Sequence, residues 1–517
     1  MTCMGGVAMT MRRVKRMAAW VGAIVMMTGS AGAAWAQIPS AGIDDFKAPP
    51  DPRWGAITAA DVEAAYRLIR DNHPGATPEI GDPAFRRALE AAHAQAQARA
   101  HEATSYQGYA ATLNAFANGL GDKHIWSRPT LLPNLVRWPG MVVSKRGERW
   151  VITDTDEANH SMMGAALTAC DGIPVAEFAR RNLGGYRAVW RIGAQQIQAA
   201  PWLLIDEENP FIARPKACDF ETAGGARTMT LDWLRAKRVD LLPRLQKAVG
   251  AGAAGFGLRK VGDGYWIAME DLDAPGKAVA VQVAAEAAAL RAAPFVVLDL
   301  RGNGGGSSLI GREVAAALFG KSNVEARLGS LTDTPCGGGD GTWRASAGNI
   351  ANLEFLLELL GEQNGPEFRK IIGDLIVQAK AAHAKGQPFS GPTHCDRPPA
   401  PAKASGQPDG MKGRLIVLTD NKCFSSCLVV VDDFRSLGAY QVGQATDAAT
   451  RYSEVREIYL PSGYSMFSTL QAVQVDADPD IGPFEPALAY DGDIADTAAL
   501  ERWVTGVAVR QAGPARP

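Results

Sequence analysis

The chain has no block of basic residues, because its 53 Lys and Arg are spread along 517 residues and are balanced by 55 Asp and Glu. A nucleic-acid partner is therefore not expected. Beyond its N-terminal segment the chain also lacks an apolar run of the roughly 20 residues needed to cross a bilayer, which argues against stable membrane insertion. The composition, 47% hydrophobic and 21% charged, is typical of a folded globular protein. The length predicts about three domains.

The sequence also lacks the patterns of a metal site. There is no CxxC pair, and the only histidine next to a cysteine is His394, beside Cys395. Because structural zinc sites need four Cys or His ligands at short, regular spacings, a metal is not expected. No other pattern predicts a cofactor.

The first 36 residues have the pattern of a cleaved export signal. Four cations at residues 12–16 precede an apolar stretch at residues 17–27, and the small-x-small sequence at residues 34–36 then precedes Gln37. Polar and glycine residues at 28–30 interrupt the apolar stretch, so it is too short for a membrane anchor. The mature protein is therefore predicted to be periplasmic or secreted.

Export to an oxidising compartment favours disulfide bonds. Cys3 leaves with the signal, and an even number of cysteines remains, which allows several connectivities. Neighbourhood in the sequence favours three pairs, namely Cys170–Cys218, Cys336–Cys395 and Cys423–Cys427.

Hydrophobic patterns divide the mature chain into three parts. Residues 55–130 show helical periodicity, residues 134–238 alternate as strands do, and residues 250–510 combine buried strands with helices as α/β folds do. In the second part, an Asp-Gly turn followed by Pro174 resembles a hairpin of PDZ-like domains. In the third part, helical patterns between Gly- and Pro-rich stretches predict a helical insert, a lid, at residues 336–400.

Two strand-to-helix junctions in the α/β part carry the residues that point to chemistry. At the first, a continuous apolar strand at residues 295–300 runs into a glycine run at residues 301–306. Backbone N–H groups of such a run can hold a phosphate or a developing oxyanion. The run lacks the Gly-Lys-Ser/Thr ending of a phosphate-binding loop, so nucleotide binding fits poorly.

The second junction places Ser425 and Ser426 between a buried strand at residues 414–419 and an apolar helix. Ser425 fits two roles. It can be the N-cap of that helix, or a nucleophile whose oxyanion is stabilised by the next N–H and the helix dipole. Local spacing does not choose between them.

Together, DLRGNGGG at residues 299–306 and the segment LTDNKCFSSCL at residues 418–428 resemble the C-terminal-processing (tail-specific) serine proteases and their tricorn-core relatives. Weaker similarities follow in family order at residues 120–124 (LGDKH), 443–446 (GQAT) and 483–486 (PFEP). The resemblance implies an α/β core of crotonase/Clp-protease-like type, with an N-terminal helical domain and a β-rich PDZ-like domain. It also implies a serine peptidase without a cofactor, acting on peptides or unfolded proteins.

Carried over position by position, the resemblance assigns Ser425 as the nucleophile. The N–H groups of Ser426 and of Gly305 or Gly306 become the oxyanion hole. The processing branch also uses a Lys farther along the chain, where this sequence has TDAATR at residues 446–451. Its arginine cannot replace that Lys as a base, because a guanidinium stays protonated.

The tricorn-like branch instead takes a His from the end of the helical part and a Glu from late in the chain. His124 and Glu485 match those positions, which gives the triad Ser425–His124–Glu485. Glu454 is an alternative carboxylate, and Lys123 or Lys422 is an alternative base.

These residues favour an exported serine endopeptidase that hydrolyses peptide bonds through an acyl-enzyme. A catalytically silent peptide-binding protein on the same scaffold is the alternative, since the Lys of the processing branch is missing. A crotonase-like enzyme acting on a thioester is a third reading, which export disfavours because coenzyme A substrates are cytoplasmic.

Overall fold

The computed structural model describes residues 50–131, 133–250, 252–329, 341–393, 410–475, 477–508 and 510. The predicted export signal and the predicted Cys336–Cys395 pair lie outside these residues. No helix in the described ranges is both long enough and apolar enough to cross a membrane.

The described chain begins with three helices, α1 (Arg53–Asn72), α2 (Pro83–Ala100) and α3 (Tyr106–Gly119). The start of α2 is set by Asp82, whose carboxylate accepts the N–H of Phe85 at 2.9 Å. The start of α3 is set in the same way by Ser105. Apart from the first two residues of α1, the three helices lie within residues 55–130, where periodicity predicts helices, and their apolar faces share one core.

The second region is built mainly of short strands. Its elements in chain order are β1 (Ser127–Pro129), β2 (Leu135–Trp138), β3 (Met141–Arg146), β4 (Arg149–Thr155), β5 (Ala166–Cys170), β6 (Ile173–Pro174), α4 (Val175–Asn182), α5 (Gly193–Ala199), β7 (Ala217–Thr222), β8 (Gly225–Thr230), β9 (Leu234–Lys237) and α6 (Arg238–Val249). Strands β3, β4, β5, β7 and β8 form an antiparallel sheet. Cys170 and Cys218 face each other across β5 and β7, with Cα atoms 4.0 Å apart, and are disulfide-bonded as predicted.

The third region is the α/β core. Its elements are β10 (Phe256–Val261), β11 (Gly264–Met269), α7 (Ala274–Ala285), α8 (Ala287–Ala292), β12 (Phe295–Asp299), α9 (Ser308–Phe319), α10 (Lys321–Leu328), β13 (Thr342–Trp343), α11 (Ala347–Ala384), β14 (Arg414–Thr419), α12 (Ser426–Ser436), β15 (Tyr440–Gly443), β16 (Ala449–Thr450), β17 (Tyr452–Tyr459), β18 (Ser465–Val473), β19 (Asp480–Ile481), β20 (Leu488–Ala489) and α13 (Thr497–Trp503).

The main sheet has the strand order β10-β11-β12-β14-β15-β20, and only β10 and β11 pair antiparallel. Helices α7, α9 and α12 cover one face, where Val296 and Val417 are buried. Leu500 and Val504 cover the other face, packing against Val297. Burial on both faces explains why β12 and β14 read as continuous apolar runs rather than as alternating ones.

The N-terminal helices are completed by a hairpin from the far end of the chain. Strands β17 and β18 pair antiparallel, and the Phe467 ring of β18 stacks on Phe116 of α3 with centroids 5.5 Å apart. The buried Asp61 of α1 accepts the Tyr109 hydroxyl at 2.7 Å and the Ser462 N–H at 3.1 Å. The predicted helical part at residues 55–130 therefore shares its core with residues 452–473.

The predicted insert contains one long helical element. Helix α11 breaks at Gly365, where φ is 81° just before Pro366, and its two halves pack on each other through Leu353, Phe368 and Ile372. The Asn349 side chain fixes its start to α1 by donating to the Asn72 carbonyl at 3.0 Å. No described residue of α11 lines the cleft that contains Ser425.

The shared core of the helices and the late hairpin can be tested with Phe467→Ala. The variant removes a fully buried ring, so the free energy of unfolding should fall by about 3–5 kcal/mol in urea denaturation. Val281→Ala, at a position that is 60% exposed on α7, is the control and should change it by no more than about 0.5 kcal/mol. A Phe467→Ala effect as small as the control would contradict the shared core.

Candidate active site

The glycine run and the turn that carries Ser425 lie side by side because they follow the neighbouring parallel strands β12 and β14. Asp299 at the end of β12 is paired with Leu418 of β14. Carboxyl ends of adjacent parallel strands open on the same edge of a sheet, where α/β proteins place their ligand sites. The Phe424 N–H donates to the Asn303 carbonyl at 3.2 Å, so the turn before Ser425 is fastened directly to the glycine run.

The charged residues of the DLR motif support the turn. Asp299 and Arg301 form an ion pair of 2.7 Å in which neither side chain is exposed. The indole N–H of Trp266 also donates to Asp299, and Arg301 donates to the carbonyl of Ile494 at 2.7 Å. Removing one partner of such a buried pair leaves an uncompensated charge, so both are needed to hold the strand end.

Asp420 joins the two turns through its buried carboxylate. It accepts the N–H groups of Gly302 at 3.0 Å and Gly252 at 3.1 Å through Oδ2, and that of Lys422 at 3.0 Å through Oδ1. Burial raises the pKa of Asp420 to about 6, although the N–H groups of Lys422 and Gly302 act in the opposite direction. The carboxylate therefore connects the first turn, the second turn and the segment before β10.

Ser425 occupies a strained position at the start of α12. Its φ of 57° and ψ of −129° lie outside the regions that L-residues normally adopt, at a cost of about 1–3 kcal/mol. Its hydroxyl makes no capping hydrogen bond to the helix, so the N-cap interpretation is not supported. A serine on a strained strand-to-helix turn presents its hydroxyl outward in front of the helix N-terminus.

His124 lies in the loop after α3, and Asp122 orients its ring. The Nδ1 atom lies 2.9 Å from Asp122 Oδ1, which also accepts the His124 backbone N–H at 2.8 Å. Thr450 donates to the other carboxylate oxygen through its hydroxyl and its N–H. Burial opposes ionisation of Asp122, but the His124 charge and the hydrogen bonds from His124 and Thr450 outweigh it and lower the pKa to about 2. Because an ionised carboxylate only accepts, Nδ1 carries the proton, and the neutral form of the imidazole has its lone pair on Nε2.

Ser425 and His124 line the same cleft, together with Gly306 and Ser426. The Phe424 ring connects them, since its centroid lies 4.4 Å from that of the imidazole. The two side chains are not hydrogen-bonded to each other in this structure, and such contacts are often long until substrate binds. The structure therefore brings together the predicted nucleophile and base, which are separated by about three hundred residues in sequence.

The two glycines predicted as oxyanion donors differ in the hydrogen bonds of their N–H groups. The Gly305 N–H donates to Asn303 Oδ1 at 2.9 Å and is therefore engaged. Gly306 lines the cleft with a φ of 127°, and a Cβ there would lie 2.6 Å from the carbonyl of Leu272. Only glycine fits that position. Ser426 also lines the cleft, and its hydroxyl donates to the Gly306 carbonyl.

The carboxylates are arranged differently from the predicted triad. Glu485 is exposed and is not among the residues that line the cleft, so its catalytic role stays a prediction. Glu454 lines the cleft and is 6% exposed, with a φ of 64°. Asp122 was missed in the sequence, although its position two residues before His124 is a usable signal. Among the described residues, no group of three or more His, Cys, Asp or Glu could hold a metal ion.

Comparison with known families identifies the core. Residues 267–479 match the model of Peptidase family S41. This segment is similar to the core of S41 peptidases. The predicted resemblance is confirmed, and the chain is a serine-type peptidase whose family implies peptide or protein substrates. The matched segment contains both turns and Ser425, whereas His124, Asp122 and Glu485 lie outside it.

Solved structures support the fold at low sequence identity. The crystal structure of mature CPAF is 14% identical with a TM-score of 0.55, and the alignment covers 90% of this chain and 99% of that chain. A structure of mature CPAF complexed with lactacystin is 15% identical with a TM-score of 0.53, covering 88% of this chain and 99% of that one. No curated protein matches the chain significantly. The predicted Clp/crotonase-like α/β core is thereby supported.

A disulfide encloses the turn that carries Ser425. Cys423 and Cys427 are both fully buried, with Cα atoms 5.4 Å apart, and are bonded as predicted. Ser425 lies midway between them. The bond therefore closes a short loop around the one residue in the turn whose backbone is strained.

Removing the bond should loosen this turn alone. In Cys423→Ala/Cys427→Ala, amide hydrogen exchange at residues 423–428 should accelerate, and stability should fall by about 2 kcal/mol. The matched control, Cys170→Ala/Cys218→Ala, should accelerate exchange in β5 and β7 and leave the turn unchanged. Finding Cys423 and Cys427 as free thiols in unreduced exported protein, by peptide mass mapping, would refute the bond.

Proposed function

We propose that the protein is an exported serine endopeptidase that cleaves peptide bonds through an acyl-enzyme formed on Ser425. The observation that carries the proposal is a single cleft lined by Ser425, His124, Gly306 and Ser426. In that cleft a strained serine faces a histidine whose Nδ1 is fixed by an ionised carboxylate. This is the set of groups that nucleophilic acyl transfer requires.

The first half-reaction uses the free lone pair of His124. A serine hydroxyl is a weak nucleophile until a neighbour takes its proton. As the Ser425 Oγ attacks the scissile carbonyl carbon, His124 Nε2 accepts that proton. Asp122 then stabilises the imidazolium and keeps it oriented.

The negative charge that develops on the carbonyl oxygen needs donors that already point at it. The N–H groups of Gly306 and Ser426 are proposed for this role, with the N-terminus of α12 adding a favourable dipole. We exclude Gly305 from the hole because its N–H is bound to Asn303.

Collapse of the tetrahedral intermediate completes the cycle. His124 Nε2–H donates its proton to the leaving amine, the C–N bond breaks and the acyl group stays on Ser425. Water then attacks the ester, His124 takes the proton of the water, and the same N–H groups hold the second oxyanion. Collapse of this second intermediate breaks the ester bond to Ser425 Oγ, His124 Nε2–H returns the proton to Oγ, and the carboxylic acid is released.

The proposal of export is supported by observations outside the cleft. The N-terminal signal pattern predicts secretion, and two cysteine pairs at bonding distance fit an oxidising compartment. We propose that the substrates are peptides or unfolded segments, because attack requires an extended chain lying between Ser425 and Gly306.

A fluorophosphonate probe tests the nucleophile. Wild-type protein should be labelled on Ser425, and Ser425→Ala should show no labelling and no peptide hydrolysis at an unchanged melting temperature. Lys422→Met is the control, since this exposed lysine should not be needed as a base. An unlabelled wild-type protein would support the silent peptide-binding alternative instead.

Three further variants identify the base and its carboxylate. His124→Ala should lower kcat/KM by about 10²- to 10⁴-fold on an unstructured peptide. Asp122→Asn should cause a loss of similar order, roughly 10²- to 10⁴-fold, because it removes the acceptor that fixes the ring. Glu485→Gln should change the rate little. A full loss in Glu485→Gln with an active Asp122→Asn would return the role to Glu485.

A further inference from the structure

Another buried carboxylate, that of Asp447, does not line the cleft and takes no part in the chemistry proposed above. Asp447, in the loop between β15 and β16, has a fully buried side chain with four donors. Lys123 Nζ lies 2.8 Å and Gln198 Nε2 3.2 Å from Oδ2. Gln195 Nε2 lies 2.8 Å and the Ala448 N–H 2.9 Å from Oδ1. Both oxygens are therefore saturated.

The donors come from separate regions of the chain. Lys123 directly precedes His124. Gln195 and Gln198 belong to α5 of the β-rich region. The backbone N–H of Asp447 itself donates to the Cys423 carbonyl at 3.0 Å, in the turn that carries Ser425.

Helix α5 also contacts the nucleophile turn directly. Gln198 Nε2 donates to the Asn421 carbonyl in addition to Asp447, and its Oε1 accepts from Lys123 at 2.8 Å. Ile192 and Ala194 pack on Ala448 in a small buried cluster. A single helix of the β-rich region thus contacts the His124 loop, the Ser425 turn and the loop after β15.

The Phe424 ring links the Asp447 network to His124 and Ser425. The Lys123 ammonium lies 4.9 Å from the Phe424 ring centroid, and the His124 ring packs on the same aromatic side chain. A shift of Lys123 would therefore displace both the Phe424 ring and the His124 ring.

Energy alone does not account for this network. The Asp447 side chain is fully buried, whereas that of Lys123 is 38% exposed. Desolvation of a buried carboxylate costs free energy that its ion pair often fails to repay, so such pairs are weak contributors to stability. They are retained in some proteins because they specify one arrangement among several, and the Asp447 network has the connections needed for that role.

We propose that Asp447, Lys123 and the α5 glutamines form a positioning network through which the β-rich region keeps His124 and Ser425 in a fixed relative position. This inference rests on the proposed function. These are positioning residues, since none of them reaches the reacting atoms. Their loss should lower kcat rather than raise KM, because misplacement of the nucleophile and base affects the transition state more than substrate binding.

The decisive pair of variants lies on one helix. Gln198→Ala removes the contacts to Asp447, Asn421 and Lys123, whereas Gln196→Ala removes a 2.7 Å bond to Trp190 that stays within the β-rich region. Gln198→Ala should lower kcat and the rate of fluorophosphonate labelling of Ser425 by about 3- to 30-fold, with KM and melting temperature little changed. Gln196→Ala should match wild type in both rates.

Lysine variants provide an independent test. Lys123→Met leaves Asp447 without a cation and can destabilise the fold, so it is paired with Lys123→Arg, which keeps the charge. Lys123→Arg should be folded and retain more labelling rate than Lys123→Met. Equal loss in both at equal melting temperature would show that the charge is not what positions the site.

The outcomes separate the two proposals. If Ser425→Ala is still labelled, the proposed function fails. If Ser425→Ala is unlabelled but Gln198→Ala reacts as fast as wild type, or Gln196→Ala is slowed as much as Gln198→Ala, only the positioning network is overturned.

Discussion

The carboxylate of Asp420 is the contact on which the sheet edge that carries Ser425 depends. It binds N–H groups from the glycine run, from the serine turn and from the segment leading into β10. Without this acceptor, three backbone donors at the end of a buried sheet would lose their partner. The energetic cost of burying Asp420 is visible in its raised pKa, and what that burial supports is a fixed distance between the Ser425 turn and the Gly306 turn.

Backbone strain at Ser425 persists because hydrogen bonds and a disulfide fix the conformation of the turn on both sides of it. The Leu428 N–H donates to the Ser425 carbonyl at 2.9 Å, which starts α12, and the Phe424 N–H is held by Asn303 on the other side. The Cys423–Cys427 bond closes the same turn covalently. Strained residues survive when neighbouring structure over-determines them, and such positions cluster at active sites.

The histidine side of the cleft is assembled by a different part of the fold. Asp122 and His124 come from the loop after α3, while Thr450, which donates to Asp122, comes from β16. The late hairpin of β17 and β18 holds the N-terminal helices against the core and thereby places that loop. Asp122 is therefore hydrogen-bonded both to His124, its neighbour in the sequence, and to Thr450 from a distant segment.

The amino-acid sequence alone predicted the α/β core and the glycine run. Apolar runs and glycine turns are local patterns, and they follow from burial on both faces of a parallel sheet and from the missing Cβ. The sequence also indicated Ser425 and His124, through resemblance rather than through spacing.

Only the tertiary structure decided which carboxylate faces the histidine and which glycine keeps a free N–H. The sequence pointed to Glu485 and passed over Asp122, but Asp122 is buried beside the His124 ring and Glu485 is exposed. Gly305 differs from Gly306 because the Asn303 side chain folds back onto its N–H. The Asp447 network joins residues 123, 198 and 447, and no local pattern reports such contacts. Hydrogen-bond partners far apart in sequence are set by how the chain packs, so they became visible only in the folded protein.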